Sequence, residues 1–333
     1  MALIRGETVL VPLEDESAVG EARRAARRIA GDVALGEQAA ERAAIVATEA
    51  SRNAVVHGKG GFVALRALDG AAPGIEMVAV DRGAGLGNVA AAMRDGHSTA
   101  GTAGQGLGAI RRLSTLFDVW SAPGKGTALV SEIREGGPAR AEVASGAVCL
   151  ARQGEPVCGD GWVVAESRGR TILAVVDGLG HGLLAHDAAV AGVEAVRRHA
   201  ALGPAEIVGM AHAALRSTRG AAIAVLEVAS GGGVRYAGIG NVSATIVGDG
   251  AVRRLVSLSG TVGHEIRRVQ EFSYEWPPGA ILVMHSDGLA QHWDLAAYPG
   301  LAARAPALVT GVLLRDFNRG RDDVTVLAAR RAP

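Results

Sequence analysis

Net charge of either sign is missing from this chain: 34 Lys+Arg balance 34 Asp+Glu over 333 residues. Without a global field nothing draws in nucleic acid or an anionic membrane, and neither is expected as a partner. Aromatic residues are scarce, at 3%, while Ala and Gly abound, so cores of small aliphatic side chains are expected. Only two cysteines occur, Cys149 and Cys158. One bridge or two buried thiols would both suit that count, and thiols are the expectation for a reducing cytosol. No apolar run approaches the roughly 20 residues that span a bilayer. Charge at Arg5 and Glu7 comes too early for a signal peptide, so a soluble cytoplasmic protein is expected. A P-loop is absent as well, because Gly124-Lys125-Gly126 lacks the upstream glycine spacing and the following Ser/Thr.

The length suffices for two cores, and 49% hydrophobic residues fit ordinary globular packing. Residues 134–140, Arg-Glu-Gly-Gly-Pro-Ala-Arg, have the composition of a linker. We therefore expect domains at 1–137 and 143–333. In the first, strands are expected at 7–12, 61–68, 74–81, 117–121 and 126–134. Helices are expected at 16–30, 36–57 and 106–117. Val19, Ala22, Ala26 and Ile29 recur at helical spacing. Arg23, Arg24, Arg27 and Arg28 on the same helix read as a solvated face or as a docking surface for an acidic partner. In the second domain many short β runs are interrupted by helices near 182–200, 204–216 and 303–316, with a final strand at 323–330. The class is α+β, with layered sheets flanked by helices.

Two sets of residues carry chemistry. Glu49 and Asn53 lie one turn apart on a helix face; a carboxylate there can polarise a hydroxyl, and an amide oxygen can hold Mg²⁺ beside phosphates. Asp81 ends a strand at the turn Arg82-Gly83-Ala84-Gly85, where it can accept from an exocyclic amine. The loop 101–108, Gly-Thr-Ala-Gly-Gln-Gly-Leu-Gly, offers N–H groups to phosphate oxygens. Gly85 to Ala90 also satisfies a loose GxGxxA, but no acidic residue follows on a strand at the distance a dinucleotide site needs.

In the second set, Asp160, Asp177, Asp287 and Asp322 each sit at a turn or strand end beside Gly or another polar residue. If they converge, their repulsion calls for cations, and hard oxygen ligands suit Mg²⁺ or Mn²⁺. Two such ions can generate a hydroxide and clamp a phosphoryl group. His181, in the Gly180-His181-Gly182 turn, reads as a ligand-orienting group, a proton donor or a turn residue.

The first set resembles the GHKL ATP-binding superfamily over about residues 5–134, and within it the RsbT-type serine/threonine kinases of bacterial stress signalling. That resemblance implies ATP with Mg²⁺ as cofactor and Asn53 as the Mg²⁺ holder. It makes Glu49 the base and Asp81 the adenine reader, wraps Gly83, Gly85, Gly104, Gly106 and Gly108 around the nucleotide, and sets Thr127 beside the base. The second set resembles the SpoIIE/RsbU/RsbX branch of the PPM phosphatases over about 143–330, through Asp177-Gly-x-Gly-His-Gly, Ser286-Asp-Gly and Asp322-Asp-x-Thr. It implies two Mn²⁺ or Mg²⁺ ions, with Asp177 bridging both, Asp160 and the Gly178 carbonyl on one, and Asp287 and Asp322 on the other. Asp323 is the less favoured member of its pair.

The fold implied is a GHKL-type α/β sandwich followed by a PPM-type α-β-β-α sandwich. The function implied is a bifunctional regulator of partner switching. Its first domain phosphorylates Ser/Thr of a STAS-domain protein (RsbS/RsbR-like or anti-anti-sigma-like), and its second hydrolyses phosphoserine or phosphothreonine on such proteins. The alternative makes the first domain a nucleotide sensor, or an anti-sigma module that binds a sigma factor.

Overall fold

The computed structural model describes residues 6–69, 72–93, 106–137, 142–167, 169–229, 233–248 and 250–331. Two compact units make up the chain: Met1–Arg140 with Leu295–Arg315, and Ala141–Asp294 with Asp316–Pro333. The first unit therefore contains a segment distant in sequence from the rest of it.

In unit 1 the order is β1 (Val9–Pro12), α1 (Ser17–Asp32), α2 (Glu37–His57), β2 (Gly61–Leu68), β3 (Gly74–Asp81), the short α3 (Val89–Ala92), α4 (Leu107–Leu113), β4 (Leu116–Ser121) and β5 (Thr127–Arg134). The strands form one antiparallel sheet in the order β1-β2-β3-β5-β4. Buried Ala18, Ala22, Ala25, Ala26, Ile29 and Ala30 give α1 its inward stripe. With Ala43, Ala47 and Ala50 of α2 they pack on Val63, Leu65, Met77 and Leu129 of the sheet. Small side chains on both helices let their backbones approach, which is what the alanine-rich, aromatic-poor composition implies. The four arginines of α1 are exposed, and Arg27 pairs with Glu41 of α2. Helix α4 is shorter than the expected 106–117, since the chain re-enters the sheet at Leu116.

The other face of this sheet is also buried, with Val78, Val80, Trp120, Ala128 and Val130 nearly inaccessible. An antiparallel sheet with one solvated face would alternate apolar and polar residues; β3 instead reads as an almost continuous apolar run, as a sheet covered on both sides requires.

Unit 2 carries β6 (Val143–Leu150), β7 (Asp160–Ser167), β8 (Arg170–Gly178), α5 (Leu183–Arg198), α6 (Pro204–Ala214), β9 (Ala221–Val228), β10 (Gly233–Ile239), β11 (Ser243–Gly248), β12 (Ala251–Arg254), β13 (Ser257–Leu258), β14 (Phe272–Glu275) and β15 (Ile281–His285). Helix α7 (Pro306–Phe317) and β16 (Val324–Arg331) complete the chain. One sheet runs β13-β10-β9-β8-β7, with β14 also on β10; the other runs β12-β11-β15-β16-β6. Leu173, Val175, Leu226, Tyr236, Ile246, Leu282, Met284 and Leu327 fill the space between them. Val176, Ile223, Val196, Ile207 and Val208 form a second core beneath α5 and α6. The strand ends that carry Asp160 and Asp177 are adjacent in the first sheet, while Asp287 and Asp322 flank β15 and β16 of the second.

Two candidate sites: a nucleotide pocket and a carboxylate centre

Asp81 closes β3. Its Oδ1 accepts the Gly83 N–H at 2.7 Å and the Thr127 N–H at 3.1 Å, so the carboxylate, the glycine turn and the start of β5 are drawn together. Burial raises the Asp81 pKa, against the two hydrogen bonds and the Arg315 and His57 charges. The Thr127 and Ser121 hydroxyls lie 3.0 Å apart, and Ser121 Oγ accepts the Leu86 N–H at 2.7 Å, which fixes the turn around Gly85. Gly58, just past α2, faces the Asp81 side chain. Glu49 and Asn53 stand on α2, both partly buried, with Glu49 3.6 Å from Arg52. Gly106 precedes α4 and Gly108 is buried within it. Gly104 lies outside the described residues.

In unit 2, Asp160 at the start of β7 stands opposite Asp177 near the end of β8. Gly178 follows at a position where any Cβ would lie 2.2 Å from the Ala185 carbonyl oxygen. Only glycine lets the chain turn there into α5. Asp160 is buried and accepts the Ser286 hydroxyl at 2.5 Å, while Ser286 Oγ accepts the Thr325 N–H at 2.9 Å. That bond ties the first aspartate to the loop of the third. Asp287 accepts the Asn241 amide at 2.6 Å. Asp322 Oδ1 accepts the Asp323 N–H, and Asp323 Oδ1 accepts the Arg152 N–H at 2.8 Å.

The electrostatics are those of crowded acids. Burial, then the Asp287 and Asp322 charges, push the Asp177 carboxyl up to about 7. Burial, then the Asp177 charge, push Asp160 well above the usual carboxylate range. Asp323 is raised by burial, with the Asp322 charge adding to it. Asp177 Oδ2 and Asp323 Oδ2 are buried with no hydrogen-bond partner. Among the described residues no three His, Cys, Asp or Glu side chains form a closed metal-binding group. The aspartates interact pairwise, and the orphaned buried oxygens and mutual repulsion are what an oxygen-loving cation relieves. The donor set therefore fits Mg²⁺ or Mn²⁺.

Two features escaped the sequence. Glu155 meets His181 Nδ1 at 2.5 Å, and nothing in their spacing signals that pairing. Asn241 falls in a glycine turn that gave no hint of its amide reaching Asp287. A cleft of about 290 Å³ adjoins this side of the centre, lined by Asn241, Ser243, Arg254, His292 and Trp293 among others. His285 is buried, bonds the Ser286 carbonyl oxygen through Nδ1 and accepts from Trp293 Nε1 at 3.2 Å. These are packing roles. Cys149 and Cys158 are buried free thiols with their sulfurs 3.5 Å apart.

Comparison with known proteins finds a separate match for each of the two sets of residues. The Histidine kinase-like ATPase domain family matches residues 11–131, and Stage II sporulation protein E (SpoIIE) matches residues 167–332. Serine/threonine-protein kinase RsbT of Bacillus subtilis (strain 168) is 32% identical over 107 residues, which is 32% of this chain and 80% of that protein. Phosphoserine phosphatase RsbX of the same organism is 25% identical over 142 residues, 42% of this chain and 71% of that protein. A crystal structure of RsbX in complex with magnesium shares the phosphatase fold, with a TM-score of 0.53 at 20% identity, covering 59% of this chain and 98% of that one. Through its first part the chain belongs to the RsbT family of kinase-like ATPase domains, and its second part is a SpoIIE-type protein serine/threonine phosphatase.

Proposed function

We propose that this protein both adds and removes phosphate on STAS-domain regulators of a partner-switching pathway, with residues 1–137 and 143–333 as the two catalytic halves. The observation that carries the phosphatase reading is the buried Asp177 carboxylate, its Oδ2 without a hydrogen-bond partner, directly opposite buried Asp160 on the neighbouring strand. In this reading Asp177, Asp160, the Gly178 carbonyl, Asp287 and Asp322 would together hold two divalent cations. Such ions supply an activated water and neutralise phosphoryl charge. The chain's own groups do the rest. Ser286 holds Asp160 in place through its hydroxyl, and Asn241 does the same for Asp287. Glu155 on Nδ1 of His181 fixes the ring so that Nε2 can give a proton to the departing serine or threonine oxygen. The cleft beside Asn241 would accept substrate residues next to the phosphorylated side chain.

For the first half, Asp81 is held through Oδ1 so that Oδ2 can accept from the adenine amino group. Asn53 would carry Mg²⁺, and Glu49 would take the proton of the acceptor hydroxyl. Kinship with RsbT over most of that protein's length favours this reading over pure nucleotide sensing or sigma-factor capture. A phosphorylated STAS protein incubated with the wild-type chain and Mn²⁺ should lose its phosphate, and Asp177→Ala should reduce the release to background. Release that survives the substitution would remove Asp177 from the mechanism.

A further inference from the structure

Leu295–Arg315 lies in sequence between Asp287 and Asp322, inside the stretch matched by the phosphatase family, yet it packs as part of unit 1. It covers the second apolar face of the unit 1 sheet. A Cβ on Gly311 of α7 would stand 2.7 Å from Val78 and 2.9 Å from Val80, so the helix backbone lies directly on β3. Trp120 of β4 donates to the Pro299 carbonyl at 2.9 Å and meets the Tyr298 ring at 5.9 Å. Asp118 accepts the Ala305 N–H at 2.8 Å and lies 3.3 Å from Arg304.

The segment ends at the nucleotide pocket. Arg315 Nη1 donates to the Asp81 carbonyl at 2.6 Å and to the Lys125 carbonyl at 2.7 Å, and the Arg82 guanidinium donates to the Arg315 carbonyl. The β3–β5 ladder stops at Val80 and Ala128. One guanidinium nitrogen thus joins the end of β3 to the turn before β5 just beyond the last ladder pair, where the Asp81 carboxylate meets the Thr127 N–H. The residues that flank the segment on either side belong to unit 2 and pair with one another next to Asp287 in the sequence. The chain leaves and returns at the Leu289–Asn318 bridge, with Ala290 N–H on the Phe317 carbonyl and Arg319 N–H on the Gly288 carbonyl, both at 2.9 Å. Arg319 Nη1 also donates to the Asp287 carbonyl at 3.1 Å.

We propose that Arg315 is a positioning residue of the nucleotide pocket, and that through Leu295–Arg315 nucleotide occupancy of unit 1 is thermodynamically linked to the carboxylate centre of unit 2. The proposal rests on the reading of Asp81 as the adenine contact. A ligand that favours one arrangement of Asp81 and Lys125 favours the same arrangement of Arg315, and the linkage runs equally in both directions. The bonds to the Asp81 and Lys125 carbonyls come from a single nitrogen, so a lysine ammonium can replace those two while an apolar side chain cannot.

The test uses the full chain, with ATP·Mg²⁺ affinity measured by calorimetry and Mn²⁺-dependent hydrolysis of p-nitrophenyl phosphate measured with and without ATP. Arg315→Ala should weaken ATP binding about tenfold, the scale of losing a charged hydrogen-bond donor, and Arg315→Lys should restore most of it. ATP should alter p-nitrophenyl phosphate turnover in the wild type and in Arg315→Lys but not in Arg315→Ala. Asp118→Asn, which loosens the segment away from Asp81, serves as a packing control and should leave ATP affinity unchanged. A wild-type chain that does not bind ATP would overturn the nucleotide reading itself, and the inference with it. A wild type that binds ATP, with equal affinity in Arg315→Ala, or an equal loss in Arg315→Lys and Asp118→Asn, would overturn the inference alone. So would turnover indifferent to bound ATP.

Discussion

Single side chains in the carboxylate centre have separable roles. Asn241 touches Asp287 rather than the space between the aspartates, so its removal should loosen a ligand without deleting one. Partners of this kind usually contribute about 10- to 100-fold to metal affinity. Asn241→Ala should weaken Mn²⁺ binding by that factor in a metal titration, and unchanged affinity would place Asn241 outside the centre. Asp177 gives a second prediction at this scale. Burial first, then Asp287 and Asp322, raise its carboxyl to about 7, against about 3.9 in an unfolded chain. Between those values the folded state holds a proton that the unfolded state has released, so stability falls as pH rises through the window. Asp177→Asn removes this loss. In metal-free melts the variant should gain on the wild type between about pH 5 and pH 7.5, and a gap independent of pH would contradict the assignment. The aspartates themselves were legible in the sequence because each sits at a turn or strand end beside glycine or another polar residue. Glu155 and Ser286 were not legible as partners, because the contacts that give them meaning join residues far apart in the chain.

At the scale of elements, both units follow from periodicity: the alanine stripe of α1, the apolar run of β3, and the glycine turns that end β8 and follow β15. A helix near 303–316 was equally plain. Its destination was not, because α7 is buried from Pro306 to Arg315 with no polar face to orient it. The sheet holds a clue in Arg66 and Glu76, an ion pair of 2.6 Å buried on neighbouring strands. Burial raises the Glu76 pKa against the opposing Arg66 charge. Removing the carboxylate takes its 2.6 Å acceptor from a buried guanidinium that cannot neutralise itself. Glu76→Ala should therefore cost about 3–5 kcal/mol in urea denaturation. The double change Arg66→Met, Glu76→Leu should recover most of that loss, and a double variant no better than the single one would show that the pair is not the cause. Gly178→Ala offers a sharper test of local geometry, since the new methyl would fall 2.2 Å from the Ala185 oxygen. It should reduce phosphatase turnover at least as much as loss of an aspartate partner such as Asn241, and wild-type turnover would mean that the turn into α5 is not under that constraint.

For the whole molecule, the central claim is that one chain carries opposed activities toward the same class of protein. Kinship with RsbT and RsbX puts the two kinds of domain in series, and the charge balance leaves recognition to local surfaces rather than a global field. The most direct measurement follows labelled phosphate from ATP onto a STAS-domain protein in the presence of Mg²⁺ and Mn²⁺. With the wild-type chain the label should rise and then fall as ATP is consumed; with Asp177→Asn it should rise and stay. No label on any STAS-domain protein with Asp177→Asn, while that variant still binds ATP, would contradict the account.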